Sequence, residues 1–222
     1  MSEDTLTTVA VIAGLLQALG YATYIWKSLK GEVDPNPTTW LMFAYGTTFL
    51  TILEWDQNAK WQLLILPCVC AVLSLGVAYL CWKRGTLRWP EDRTGRVSIF
   101  IDLTLTVGYI ATAILSMNGS LDQSQRTALV IAFLALSNAS TAVSFAPMFK
   151  STWNDPTEEH YLPWSIWTVA YATLGVATYL EQGKADEFLI YPVSCAILHG
   201  IVALLSLRAV KRTKGSASAL VH

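Results

Sequence analysis

The feature that most restricts this chain is the recurrence of apolar runs long enough to cross a lipid bilayer as helices. At 1.5 Å rise per residue, about 20 apolar residues span the hydrocarbon. Such runs fall at 5–26, 37–54, 61–82, 96–117, 127–149, 161–180 and 187–207, and together they occupy most of the 222 residues. The connections are too short to hold a soluble domain, so any function resides among the helices. The expected fold is an all-α polytopic membrane protein with seven transmembrane helices. Glu3 and Asp4 stand where a signal peptide would carry basic residues, and the first run continues to Trp26 without a small-residue cleavage site, so it reads as a retained helix.

Charge sets the orientation. Lys60, Arg126 and Lys184 fall in connections on one side, whereas the other twelve Lys and Arg fall on the opposite side, five of them between Lys83 and Arg96. Cytoplasmic loops carry the basic excess, which puts the amino terminus outside and the carboxy terminus in the cytoplasm. Only an odd number of spans preserves this asymmetry. A net charge of −1 leaves no basic excess for a nucleic-acid partner. Cys68, Cys70, Cys81 and Cys195 all lie inside apolar runs without zinc-site spacing, and no cofactor or metal motif occurs.

The chain repeats itself. With a constant shift of 125, Leu64, Ile65, Pro67, Cys70, Ala71, Leu73, Val77 and Ala78 meet Leu189, Ile190, Pro192, Cys195, Ala196, Leu198, Val202 and Ala203. With a shift of 126, Pro37 meets Pro163, Tyr45 meets Tyr171 and Thr47 meets Thr173, while Trp40 falls one residue off Trp167. Upstream, Tyr24–Ser28 pairs with Pro147–Ser151. The expected organisation is a triple-helix unit at 1–83, a basic loop and linker helix at 84–125, a second unit at 126–210 and a tail at 211–222. A fourth helix between two three-helix units gives both the same orientation, so the repeats are parallel.

These features resemble the PQ-loop superfamily, which includes the SWEET sugar facilitators. The resemblance rests on the 3+1+3 arrangement, the aromatic-Lys exits of the first helices and the Pro-rich turns PNPTTW (35–40) and LPWSIW (162–167), which look most like bacterial members. The Pro-Gln pair that names the superfamily is absent, Thr23-Tyr24 and Ala146-Pro147 standing in its place. The resemblance implies a pocket between the two units, with Ser74 and His199 near the positions where SWEET proteins carry an Asn pair.

Polar residues inside membrane spans carry a free-energy cost unless they face the bundle interior, so they mark a candidate path. His199 is the titratable ring at depth, able to bind a solute or pass a proton, or simply to bond a neighbouring carbonyl. Gln17 and Asn138 offer side-chain amides that hydrogen-bond a solute or a neighbouring helix. Tyr45 and Tyr171 offer a ring face and a hydroxyl. Trp40, Trp164 and Trp167 lie near helix ends, where interfacial anchoring accounts for Trp, and Trp167 is kept as a pocket candidate through the resemblance. Asp102 in the linker helix either has a functional role, held neutral by burial, or snorkels toward the headgroups near Arg96. Pro67 and Pro192 form an equivalent pair of candidate hinges and Pro147 an unmatched third.

No catalytic motif occurs, so an enzyme is not expected. Pro156-Thr157-Glu158-Glu159-His160 superficially resembles the P-x-E-E element of membrane carotenoid cyclases, but it also reads as a helix-start signal. The expected function is a transporter or facilitator of a small, polar, uncharged solute by alternating access, in a bacterial inner membrane. A non-transporting scaffold or accessory subunit is the alternative, and an intramembrane enzyme of carotenoid-cyclase type is a second. The expected partners are the bilayer, the solute and, as an oligomer, further copies of the chain. A reporter fused after His222 should report from the cytoplasm; an external signal would reverse the orientation and undo the pairing of repeats.

Overall fold

A computed structural model describes residues 2–86, 93–183 and 187–219, with Thr94 and 211–219 described by their backbone alone. Arg88 and Lys184, and the side chains of Lys211, Arg212 and Lys214, which enter the charge count, lie outside the described residues. The elements are α1 (Glu3–Leu29), α2 (Pro37–Asp56), α3 (Trp61–Lys83), α4 (Arg93–Met117), α5 (Gln123–Ser144), α6 (Ala146–Asn154), α7 (Tyr161–Gln182), a 3₁₀ turn (Glu187–Leu189) and α8 (Ile190–Ala219).

Local chemistry sets the helix ends. Ser2 and Asn36 cap α1 and α2 by accepting from Thr5 N and Thr39 N, and Pro37 opens α2 where a missing N–H costs nothing. Asp122 and Gln125 form a reciprocal capping box at α5. Gly183 ends α7 at φ 68°, a left-handed cap that a side chain would strain.

Among the described residues, five stretches are long and apolar enough to cross a membrane, matching α1, α3, α4, α5 with α6, and the 3₁₀ turn with α8. α2 and α7 fall short because Trp, Tyr and Thr lower their hydropathy. The Thr39 hydroxyl is buried without a partner among the described residues, but six other threonines of these helices bond back to their own backbone: Thr47, Thr48 and Thr51 donate to the carbonyls of Phe43, Ala44 and Thr47, and Thr168, Thr173 and Thr178 to those of Trp164, Val169 and Leu174. Such residues are internally satisfied and impose little of the polar burden that a composition scale assigns them.

α3 packs against both α1 and α2, and α8 packs against α7 and, on its other side, α5 and α6. α1 lies along α7, and α2 along α5, while α4 packs mainly on α5. Contacts at the two ends sort the connections into the same two sets as the charge reading. Gln62 donates to Glu3, Lys60 pairs with Glu181 and Arg126 with Asp56 at the end carrying the amino terminus. At the opposite end Arg84 donates to Ser28 Oγ and the Ser28 carbonyl at 2.8 Å each, and Arg208 to the Trp153 carbonyl.

The expected single span at 127–149 is two helices, since α5 stops at Ser144 and Pro147 opens α6. A proline in the first turn begins a helix readily but cannot continue the preceding one. Pro192 corrects the hinge expectation for the same reason. It is the third residue of α8, where its missing N–H has no intrahelical partner to lose, whereas Pro67 lies inside α3. The sequence-equivalent pair is therefore inequivalent as hinges.

Glycine permits the closest approach in the bundle. A Cβ at Gly20 of α1 would overlap the indole of Trp167 on α7, and one at Gly14 would press on Ile65 of α3. Gly76 of α3 faces open space. Gly20→Ala should destabilise the fold by about 1–3 kcal/mol through overpacking, whereas Gly76→Ala should be neutral or stabilising by up to about 1 kcal/mol. Melting temperatures in detergent check this, and equal effects at the two sites would contradict the close α1–α7 approach.

Candidate functional site

The centre of the bundle is aromatic. Tyr21 and Tyr24 of α1, Trp40 and Phe43 of α2, Trp164, Trp167 and Tyr171 of α7, and His199 of α8 pack ring against ring, with Phe145 entering from the α5–α6 break. Trp167 touches Tyr21 at 4.9 Å and Trp40 at 5.9 Å between ring centroids, tilted in the way ring quadrupoles favour. Trp40, Trp164 and Trp167 are all 1% exposed or less, which corrects their reading as interfacial anchors. Their N–H groups are satisfied indoors, by Tyr24 OH, Glu159 Oε2 and the Gln17 carbonyl respectively.

These rings enclose a cavity of about 20 Å³, room for about one water. Both sequence halves line it: Tyr21, Trp40, Thr47 and Cys70 from one side, Thr141, Trp167, Tyr171, Tyr191, Cys195 and His199 from the other. Polar atoms there are hydroxyls, thiols and an imidazole, with no Lys or Arg among them. Tyr171 OH bonds Tyr191 OH at 3.0 Å and Cys70 Sγ at 3.4 Å, and accepts from Gln17 Nε2 at 3.4 Å. Tyr21 OH bonds Cys70 Sγ at 3.2 Å and Ser74 Oγ at 2.5 Å. His199 Nδ1 lies 2.7 Å from the Cys195 carbonyl, so it must donate, and a neutral ring then keeps Nε2 as an acceptor.

Of the residues singled out by sequence, Tyr171, Trp167 and His199 line this cavity, and Gln17 and Ser74 bond the tyrosines around it. Tyr45 does not join them. Its hydroxyl bonds Thr106 Oγ1 and the Asp102 carbonyl on α4. The reason is register: Trp40 and Trp167 both line the cavity, and aligning them pairs Tyr171 with Ala44 rather than Tyr45. One residue of slip rotates a helical side chain by about 100°. Asn138 donates to the Leu134 carbonyl of its own helix, and its amide oxygen is buried without a partner. Asp102, expected to snorkel, is buried and accepts from Ser140 Oγ at 2.5 Å, clasping α4 to α5.

Two further buried carboxyls were not among the candidate site residues. Glu159, in the connection between α6 and α7, accepts from Trp164 Nε1 at 2.8 Å and Tyr24 OH at 3.1 Å, and Tyr24 OH accepts from Trp40 Nε1 at 3.2 Å. It thereby ties the second half of the sequence to the first directly over the aromatic centre. Glu158 beside it is exposed, so the P-x-E-E pair is split between water and interior. A lone buried acid just ahead of a Trp-rich helix start was the available signal. Glu54, near the end of α2, is 5% exposed and accepts no hydrogen bond from any described residue. It lines a small cavity with Leu63, Leu174, Thr178 and Pro192. The sequence reading ended the span at Glu54; α2 instead runs on to Asp56, which takes the ion pair with Arg126.

No protein-family model matches the chain, and no curated protein or solved structure matches it either.

Burial pushes the Glu159 carboxyl up from 4.5 to about 8, against the bonds from Trp164 and Tyr24 that pull it down, with Glu158 and Asp34 adding to the rise. Between those values the folded chain binds more protons at this site than the unfolded chain, so this contribution to stability falls as pH rises from about 4.5 to 8. His160, lowered from 6.5 chiefly by burial, acts oppositely, gaining stability as pH rises through its range. Glu32, lowered by Lys27, contributes stability that is lost in acid. Glu159→Gln removes only the first of these. The melting temperature of the variant minus that of wild type should therefore increase from pH 5.5 to 8.5. Parallel profiles would show that Glu159 is not held as an acid in the interior.

Proposed function

We propose that this chain is a membrane transporter or facilitator that carries a small polar solute by alternating access between two triple-helix units. The units are α1 to α3 and α5 to α8, and α4 links them in a 3+1+3 arrangement of seven spans, α5 and α6 forming one broken span. Packing of the third helix of each unit against the other two, the shift of 125 relating α3 to α8, and the positive bias of one set of connections support this reading. The bias places the amino terminus outside and the carboxy terminus in the cytoplasm, in a bacterial inner membrane.

The single observation that carries the proposal is a central cavity lined by both units and closed at each end by bonds that run between them. At the amino-terminal end Lys60–Glu181 and Asp56–Arg126 join the units. At the opposite end Glu159 bonds Tyr24, and Asp34 N donates to the Glu158 carbonyl at 3.4 Å. Breaking one set while keeping the other opens the cavity to one side, which is the requirement of alternating access. The cavity's small volume favours a second reading, a scaffold whose centre never opens.

The free thiols of Cys70 and Cys195 line the cavity and report on its opening. In a chain with Cys68 and Cys81 replaced by Ser, a small water-soluble methanethiosulfonate should label Cys70 and Cys195 slowly in proteoliposomes. Asp56→Asn combined with Lys60→Ala should speed labelling by about tenfold or more, given that each pair contributes up to about 1 kcal/mol. Thiols that stay unlabelled in both forms would favour the scaffold.

A further inference from the structure

We propose that the basic end of the bundle, where Arg84 and Arg208 make their bonds, carries three headgroup sites for anionic phospholipid. They are built from Trp26 with Lys30, Tyr79 and Trp82 with Lys83, and Trp153 with Arg208. Such sites require the helices to lie in a bilayer, and they exist whether or not the chain transports.

Each site seats a cation on an exposed ring. Trp26, Trp82 and Trp153 are each more than half exposed, near the ends of α1, α3 and α6. Lys30 Nζ stands 3.7 Å from the centroid of the Trp26 ring. Lys83 Nζ stands 5.2 Å from the Tyr79 ring, which packs on Trp82 at 5.6 Å. The Arg208 guanidinium lies 4.7 Å from the Trp153 ring, and its Nη1 donates to the Trp153 carbonyl at 3.3 Å. A cation held over a ring keeps N–H groups on its far side for an acceptor. At the opposite end Trp55 and Trp61 are exposed as well, but Lys60 and Arg126 there are turned to Glu181 and Asp56.

The second observation is where these cations fall along their helices. Leu15, Leu19, Ala22 and Trp26 form an exposed apolar stripe on α1 at helical spacing, and Lys30 lies one turn beyond it. Val72, Leu75, Tyr79 and Trp82 form the stripe on α3, and Lys83 lies one turn beyond Tyr79. On α8 the stripe is Ile197, Ile201 and Leu204, and Arg208 lies one turn beyond. An apolar stripe facing acyl chains must end in rings at the interface and then in cations at the depth of the phosphates. A soluble anion would engage the cations and leave the rings and stripes in water; a bilayer engages all three. A zwitterionic headgroup brings an ammonium that repels Lys30 and Lys83 and competes for the phosphate, whereas an anionic one does not, so each cation favours the anionic lipid.

Full-length protein in phosphatidylcholine bilayers provides the test, with Trp55, Trp61 and Trp89 replaced by Phe so that Trp26, Trp82 and Trp153 report. Phosphatidylglycerol or phosphatidylcholine brominated on its acyl chains is added at equal mole fraction, and quenching of tryptophan emission measures contact. The expected preference for phosphatidylglycerol is about fivefold or more. Lys30→Gln, Lys83→Gln and Arg208→Gln together should bring it to about one. Lys150→Gln, at an exposed lysine of α6 with no ring beneath it among the described residues, should change it by less than about twofold. Equal quenching by the two lipids, or a preference that survives the triple substitution, would overturn the proposal. So would an equal loss in Lys150→Gln, which would show diffuse charge alone, or a loss on adding soluble glycerol phosphate, which would show a free-anion site. The comparison of the two lipids needs no charge substitution, so it stands even if the triple variant fails to fold. Solute flux without this preference would sink the lipid sites and keep transport; preference without flux would do the reverse.

Discussion

Everything at the centre of this bundle depends on the seating of Trp167 against α1. The indole lies where Gly20 has no side chain, and its N–H donates to the Gln17 carbonyl at 3.2 Å. That bond goes to a carbonyl of an intact helix, so it adds a partner to a group already in use and leaves no orphan in the low-dielectric interior. With Trp167 fixed, Trp40 packs on it from α2, Tyr21 and Tyr24 from α1, and His199 from α8. Two helices whose composition looks marginal for a bilayer, α2 and α7, supply the indoles of Trp40 and Trp167. They can do so because their hydroxyls are bonded inward and their indoles find partners within the protein.

The same demand for internal partners explains what was legible in the sequence and what was not. Helix positions follow from the length and apolarity of the runs, and the grouping of connections at two ends follows from the basic residues; the contacts Gln62–Glu3 and Arg84–Ser28 lie at the ends those counts assign. Tyr171, Trp167 and His199 were legible as interior groups because polar or aromatic side chains at depth need a reason. Helix rotation was not legible. A repeat aligned one residue out of register turns Tyr45 toward α4, where Thr106 and the Asp102 carbonyl receive it. Nor was the difference between Pro67 and Pro192, which depends on where α8 begins after its 3₁₀ turn. Glu54 and Glu159 were hidden for a related reason: each lies at the edge of an apolar run, where an acid ordinarily meets water, and only packing of the other half over it makes it interior.

The two ends of the cavity are closed by different physics. Lys60–Glu181 and Asp56–Arg126 are ion pairs with partly exposed partners, Lys60 being 52% exposed and Arg126 22%. Such pairs contribute little individually and weaken as salt screens them. The Glu159 closure is buried, and its strength rests on two hydrogen bonds and on the protonation of a carboxyl pushed up to about 8. Salt reaches it poorly, whereas loss of its proton leaves a charge in an aromatic setting that only two donors offset. Neutral pH lies close below that value, so modest alkalinisation acts on this closure and leaves the ion pairs at the other end almost unchanged. The bundle thus carries two closures that respond to separate variables, salt at the amino-terminal end and pH at the other.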